Sequence, residues 1–216
     1  HDALTGLPNR SLFEQQLPIA IADARQSKTM VAIAFLDLDR FKTINDTLGH
    51  AIGDEILKHV TQRLQHCLKS DNLVARWGGD EFTLMMPHLT SPRQAANAAE
   101  RIANALRPAF YINGHELHIN VSIGIALYPL DGGDLETLLK HADSALYRVK
   151  EQGRDHYQFY NATLSSEASE RLTLSNHLYH ALDRQEFVLY YQPQIDVATG
   201  EITQLEALLR WQASYL

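Results

Sequence analysis

Arg76-Trp77-Gly78-Gly79-Asp80-Glu81-Phe82 is the stretch on which the fold turns. Leu73-Val74-Ala75 precedes it, and Phe82-Thr83-Leu84-Met85-Met86 comes after, ending at Pro87. Two apolar runs separated by a few residues with a Gly-Gly pair predict a β-hairpin with the glycines at its tip. Glycine there permits positive φ and lets another molecule approach the backbone closely. Asp80 and Glu81 stand where the hairpin turns back into an apolar strand. Adjacent carboxylates in such a place repel each other and lose hydration unless a positive charge sits between them. One reading is a charged turn facing water. The other is a site for a hard cation, since oxygen ligands suit Mg²⁺ and Mg²⁺ travels with phosphates.

Upstream of the hairpin, Met30 to Leu36 is a continuous apolar run, as expected of a strand covered on both faces. It ends in Asp37-Leu38-Asp39, and strand alternation puts the two aspartates on one face. A carboxylate at that strand end, facing Asp80 and Glu81, completes the oxygen set of a two-metal phosphoryl- or nucleotidyl-transfer site. A helix is expected from Asn9 or Ser11 to about Gln26, with Pro18 predicting a kink or break. Arg40 to Leu48 reads as a short helix broken by Gly49, and Asp54 to Leu68 as a longer one. After the hairpin come a helix from Pro92 to about Leu106 and a second hairpin, Ala109–Ile112 with Leu117–Leu127, turning at Asn113-Gly114. Leu135 to Lys150 is a helix ended by Gly153, and Tyr157 to Tyr160 an edge strand. This order predicts an α+β layered domain with a mostly antiparallel central sheet flanked by helices.

Lys150 and Arg154, four apart near a helix end, suit phosphate oxygens, or else a cationic pair at the helix C-terminus. Asn45 and Asp54 suit a purine edge; the alternatives are a turn residue and a helix cap. From about residue 161 the character changes. Residues 161–186 read as a polar linker helix, and Phe187–Ile195 with Glu201–Trp211 as two strands around Ala198-Thr199-Gly200.

The 216 residues hold 45% hydrophobic and 21% charged side chains, the balance of a globular protein. A net charge of −7 argues against general nucleic-acid binding, so no nucleic-acid partner is expected. Cys67 is the only cysteine, no apolar run is long enough for a bilayer, and no signal peptide stands at the start. A cytoplasmic location and no membrane contact for this segment are the resulting expectations. The opening His1-Asp2 reads as the middle of something longer, with any upstream membrane anchor out of view.

Residues 2–160 resemble the GGDEF family of diguanylate cyclases. The resemblance rests on Asp2-x-Leu4-Thr5-Gly6-Leu7-Pro8-Asn9-Arg10, Asp37-Leu38-Asp39-x-Phe41-Lys42-x-x-Asn45-Asp46 and Gly49-His50-x-x-Gly53-Asp54. Arg76-x-Gly78-Gly79-Asp80-Glu81-Phe82 and Ala142-Asp143-x-Ala145-Leu146-Tyr147-x-x-Lys150-x-x-Gly153-Arg154 complete it. It implies a palm-like nucleotidyl-cyclase fold over residues 1–160 and a homodimer joining two GTP into cyclic di-GMP with release of two pyrophosphates. Asp37, the Leu38 carbonyl and Asp80 are the implied Mg²⁺ (or Mn²⁺) ligands, with Glu81 at a second metal or the attacking ribose hydroxyl. Asn45 and Asp54 would read guanine, Lys42, Lys150 and Arg154 hold phosphates, and Gly78 and Gly79 let GTP lie against the hairpin. A non-catalytic GTP-binding regulatory module is the competing class; a cyclase making cyclic AMP or GMP is disfavoured by Asn45 and Asp54.

Leu189-Tyr190-Tyr191-Gln192-Pro193 and Leu205-Glu206-Ala207-Leu208-Leu209-Arg210-Trp211 resemble the opening of an EAL phosphodiesterase domain. Residues 187–216 would be its truncated start, inactive here, with Glu206 a metal ligand and Gln192 and Arg210 contacting cyclic di-GMP. A C-terminal EAL domain in the full-length protein is the implied partner. Many family members carry Arg-x-x-Asp before the hairpin, where product binds and inhibits; Lys69 and Asn72 stand there here, and Asp71 is expected to point elsewhere. Tight product inhibition is therefore not expected.

Overall fold

The structure, a computed structural model, describes residues 1–162, 181 and 184–212. The chain falls into two compact units, His1–Ala162 and Thr163–Leu216. In the first, α1 (Arg10–Ser27) leads to β1 (Met30–Leu38), then α2 (Phe41–Leu48) and α3 (His50–Cys67). The hairpin β2 (Leu73–Gly78) and β3 (Glu81–Leu89) precedes α4 (Pro92–Leu106), the small hairpin β4 (Phe110–Ile112) and β5 (His115–Leu117), and β6 (Val121–Tyr128). Next come α5 (Leu135–Glu151) and β7 (Tyr157–Phe159). The sheet order is β2-β3-β1-β6-β7, antiparallel throughout except for the parallel β6–β7 pair. The expected α+β architecture is the observed one.

Cover on both faces explains why β1 is apolar from Met30 to Leu36. Val31, Ile33 and Phe35 pack with Phe13, Leu17 and Ile21 of α1 and Leu138, Ala142 and Leu146 of α5. Ala32, Ala34 and Leu36 pack on the other side with Ile56, Val60 and Leu64 of α3 and Ala95, Ala99 and Ile102 of α4. The sheet is thus a middle layer, and β1 its central strand. Each fully buried large side chain, such as Phe13 or Leu17, contributes roughly 1.5–3 kcal/mol of transfer free energy. The same alternation places Asp37, at the end of the strand, on the odd-numbered side toward α5.

Gly124 of β6 sets how close α5 comes. A Cβ there would lie 2.1 Å from the Leu146 nitrogen and 2.3 Å from the Ala142 carbonyl oxygen. Only a residue without a side chain lets this helix backbone rest on the strand, which brings the C-terminal end of α5 beside the end of β1.

Several local expectations are corrected. Pro18 does not end α1, which runs from the Asn9 cap (Asn9 Oδ1 accepts from Leu12 N, 3.0 Å) to Ser27. Pro18 is exposed, and on an outward face water can serve the carbonyl that the missing N–H leaves unpaired. The second hairpin is shorter than expected: β4 pairs with β5 alone, and His118–Asn120 belong to no strand. Asn120 instead gives its carbonyl to the Asp39 N–H at 2.9 Å, which ends the pairing and starts β6 at Val121. Asp54 does not cap a helix, because α3 begins one turn earlier, directly after Gly49, whose φ of +86° both stops α2 and opens α3. Asn45 is a helical residue of α2 rather than a turn residue.

In the second unit, β8 (Phe187–Ile195) and β9 (Ile202–Trp211) pair antiparallel with each other and, among the described residues, with no other strand. The expected linker helix lies almost wholly outside the described residues. Among the described residues no helix is long and apolar enough to cross a membrane.

Candidate functional site

The hairpin β2–β3 turns through Gly79 and Asp80, with Gly79 at φ +52°. A brace holds that tip. Arg76 donates from Nε and Nη2 to the Gly79 carbonyl (3.1 and 2.8 Å) and from Nη1 to both carboxylate oxygens of Asp2 (3.1 and 3.2 Å). Asp2 also accepts from the Thr5 hydroxyl at 2.6 Å and the Thr5 N–H at 2.8 Å. Burial works to raise the Asp2 pKa, but the Thr5 and Arg76 hydrogen bonds outweigh it and hold the carboxyl below its ordinary value. Trp77 wedges edge-on against Phe13 and Phe35, with the Arg10 guanidinium 4.6 Å over its ring. The N-terminal segment and α1 therefore fix the hairpin from behind. Both Asp2 and Arg76 lie in recognisable motifs, yet their pairing across 74 residues is not written in either one.

Strand register then brings acids together. Asp37 stands directly opposite Glu81 across β1–β3, and the Leu38 N–H approaches the Asp80 carbonyl at 3.4 Å. Asp37 and Glu81 share the face that looks toward α5, from which Lys150 donates to Asp37 Oδ2 at 2.7 Å. Burial raises the Asp80 pKa, and the Asp37 charge raises it further, against smaller opposing effects of Lys150 and Arg76. Glu81 is raised the same way, by burial first and then Asp37, with Asp80 and Asp143 adding to it and Lys150 opposing. Even with one ammonium present the cluster lacks positive charge, which is the condition a divalent cation relieves. The all-oxygen donor set fits Mg²⁺ or Mn²⁺. Among the described residues, however, no three Asp, Glu, His or Cys side chains stand together in ligating positions. The Lys150 ammonium already pairs with one of the two Asp37 carboxylate oxygens.

The remaining expected residues surround this cluster. Gly78 and Gly79 are exposed, and a Cβ on either would meet nothing within 4 Å. Lys42 is exposed in the first turn of α2, and Asn45 is half-buried one turn further along. Asn45 Oδ1 is buried without a hydrogen-bond partner, and Gly53 of α3 makes room for it: a Cβ there would lie 1.9 Å away. Asp54, the next residue, is exposed on α3. Asn45 Oδ1 is thus enclosed against α3, while the Asp54 carboxylate one residue past Gly53 is exposed. Arg154, half exposed, lies past the end of α5 with Nε 3.8 Å from Asp39 Oδ1. Asp37 and Asp39 face the same way, and Lys150, in the last turn of α5, pairs with the first while Arg154 lies 3.8 Å from the second. Asp39 and Asp143 are contributors to which the sequence motifs assign no role.

Lys69, Asp71 and Asn72 line one depression of about 160 Å³ with His88, Gln94 and Arg101. Asp71 thus lines the same depression as Lys69. In the second unit Gln192 stands opposite Glu206 and Arg210 opposite Val188, all but Val188 exposed.

The family model described as "Diguanylate cyclase, GGDEF domain" matches residues 1–156, and that of the EAL domain matches residues 175–215. The chain is 41% identical to the bifunctional diguanylate cyclase/cyclic di-GMP phosphodiesterase MucR of Pseudomonas aeruginosa, over 98% of this chain and 31% of MucR. It is 40% identical to the cyclic di-GMP phosphodiesterase PdeR of Escherichia coli, over 98% of this chain and 32% of PdeR. The chain thus spans about a third of the length of these relatives. Among solved structures, the GGDEF domain of YfiN (TpbB) from Pseudomonas aeruginosa superposes with a TM-score of 0.76 at 37% identity, covering 79% of this chain and 99% of that one.

Proposed function

Because the chain belongs to the GGDEF family, with the start of an EAL domain behind it, we propose that its first unit condenses two GTP into cyclic di-GMP and two pyrophosphates. The observation that carries this reading is the register of Asp37 against Glu81 with Asp80 at the braced tip and Lys150 2.7 Å from Asp37. In this reading residues 1–160 are the cyclase domain, 161–186 a linker and 187–216 the EAL start.

Asp37, the Leu38 carbonyl and Asp80 would hold Mg²⁺ or Mn²⁺, with Glu81 at a second ion. Such ions, when bound, neutralise phosphate charge and make the attacking ribose oxygen a better nucleophile. Lys150 moves from Asp37 to the phosphates, joined by Arg154 and Lys42, so that the cation set tracks the transferred charge. Gly78 and Gly79 leave the hairpin surface bare for the nucleotide to lie on. Asn45 and Asp54 accept from the guanine edge, which ends the isolation of the buried Asn45 oxygen. Glu81 takes the proton of the 3′-hydroxyl as that oxygen attacks the α-phosphorus of the facing GTP and pyrophosphate leaves. One domain holds one GTP, so two copies face each other.

Incubating the chain with GTP and Mg²⁺ and identifying products by mass tests this: cyclic di-GMP supports it, and unchanged GTP at saturating protein counts against it. A second reading, a GTP-binding module regulating an attached EAL phosphodiesterase, draws on the phosphodiesterase PdeR at 40% identity. GTP binding without product would favour it.

A further inference from the structure

Asp39 ends the Asp37-Leu38-Asp39 run, and by sequence it is as good a metal ligand as Asp37. Its surroundings say otherwise. Asp39 is buried past the end of β1, and both of its oxygens are engaged. Oδ1 accepts from the Ser122 hydroxyl at 2.8 Å, and Oδ2 accepts from the backbone N–H of Asp155 at 3.1 Å. Ser122 is itself fully buried in β6, so the carboxylate is aimed by a rigid strand.

The segment it grips is strained. Gly153, Arg154 and Asp155 have φ of +108°, +66° and +57°, three left-handed residues in a row. Only the first is glycine; the other two carry a Cβ in a region that L-residues rarely adopt. The turn is pinned before by Arg154 N–H to the Val149 carbonyl and after by Ile123 N–H to the His156 carbonyl, each 3.0 Å. His156 Nδ1 also meets the Arg154 carbonyl at 2.8 Å, a contact within the turn. Asp39 ties the strained residues to the sheet, through the Asp155 N–H and the Arg154 guanidinium.

We propose that Asp39 is a positioning residue: with Ser122 behind it, it holds the left-handed turn 153–155 and thereby fixes where Arg154 presents its guanidinium. That this guanidinium serves a nucleotide phosphate rests on the function proposed above. A residue that fixes Arg154 affects phosphate recognition but not base recognition, whereas a merely structural buried aspartate would weaken both alike.

The test uses the whole chain and its Asp39→Ala, Asp39→Asn and Ser122→Ala variants. Amide hydrogen exchange in the peptide covering residues 150–156 is measured by mass spectrometry, and GTP and guanosine affinities by calorimetry. Asp39→Ala should speed exchange in that peptide about tenfold, the equivalent of one charge-assisted hydrogen bond, and weaken GTP similarly while leaving guanosine unchanged. Asp39→Asn keeps an acceptor for the Asp155 N–H and should restore exchange protection, but not the charge opposite Arg154. Unchanged exchange in Asp39→Ala, or equal losses for GTP and guanosine, would overturn the proposal. Should Asp39→Ala fail to melt cooperatively, Ser122→Ala decides: faster exchange confined to this peptide supports the grip, and no change refutes it. If the wild-type chain binds no GTP, the cyclase reading falls, and the exchange pattern still decides whether Asp39 holds the turn.

Discussion

The chain contains two long antiparallel hairpins of similar make, and they meet opposite fates. β2–β3 has β1 beside it, helices on both faces and an arginine brace at its tip; Phe82, Leu84 and Met86 are buried. β8–β9 pairs with nothing else among the described residues, and Leu189, Tyr190, Tyr191, Leu205 and Leu209 are all more than half exposed. An isolated two-stranded hairpin has marginal stability. The difference is one of neighbours, not of strand propensity. A functional tip needs such neighbours too, since Asp80 and Glu81 acquire Asp37 and Lys150 only because β1 and α5 lie alongside.

Removing a carboxylate should separate the hairpins most sharply. Asp80→Asn or Glu81→Gln should abolish cyclic di-GMP formation, several kcal/mol of transition-state stabilisation, with the melting transition retained. Glu206→Gln in the exposed hairpin should leave cyclase turnover unchanged, and a loss there would contradict the contrast. Packing comes next. Gly124→Ala drives a Cβ into the α5 backbone and should cost on the order of 3 kcal/mol in urea unfolding. Gly200→Ala, in the β8–β9 turn at φ +74° with open space around it, should cost only about 1 kcal/mol.

A finer probe is Gly53→Ala. Its Cβ displaces the Asn45 side chain, not a backbone, so unfolding should change little while GTP binding weakens about tenfold against ATP. Equal GTP and ATP affinities in the wild type would remove the base-reading role altogether. The smallest effect is expected at Leu209→Ser: 59% exposed, it should shift stability by less than about 0.5 kcal/mol. A larger loss would show that β8–β9 is covered by something after all.

What the sequence made legible was local. The hairpin tip, the Asp37-Leu38-Asp39 strand end, the α5 span and both strands of β8–β9 are readable from periodicity and turn chemistry. What stayed hidden was pairwise and distant. Nothing in the spacing of Lys150 says that it bonds to Asp37, 113 residues away, or that both oxygens of Asp39 serve Ser122 and Asp155. His118 to Asn120 alternates like a strand, but the Asn120 carbonyl is claimed by Asp39. Gly124 looks like one more residue of an alternating strand, since a close helix approach is visible only once the helix is in place. Pro18 and Asp54 mislead because exposure and a glycine upstream outweigh the usual meaning of a proline and an aspartate near a helix start.

Gly78 is exposed at the end of β2, is not at positive φ, and has open space where a side chain would go. Neither positive φ nor close approach calls for glycine at this position; the residue leaves the unfolded chain with extra freedom to lose, roughly 0.5–1 kcal/mol relative to alanine. Gly78→Ala should therefore raise the urea midpoint while it crowds the face on which a nucleotide would lie. If a nucleotide lies on that face as proposed, the stability given up at Gly78 is the counterpart, in the empty fold, of that contact.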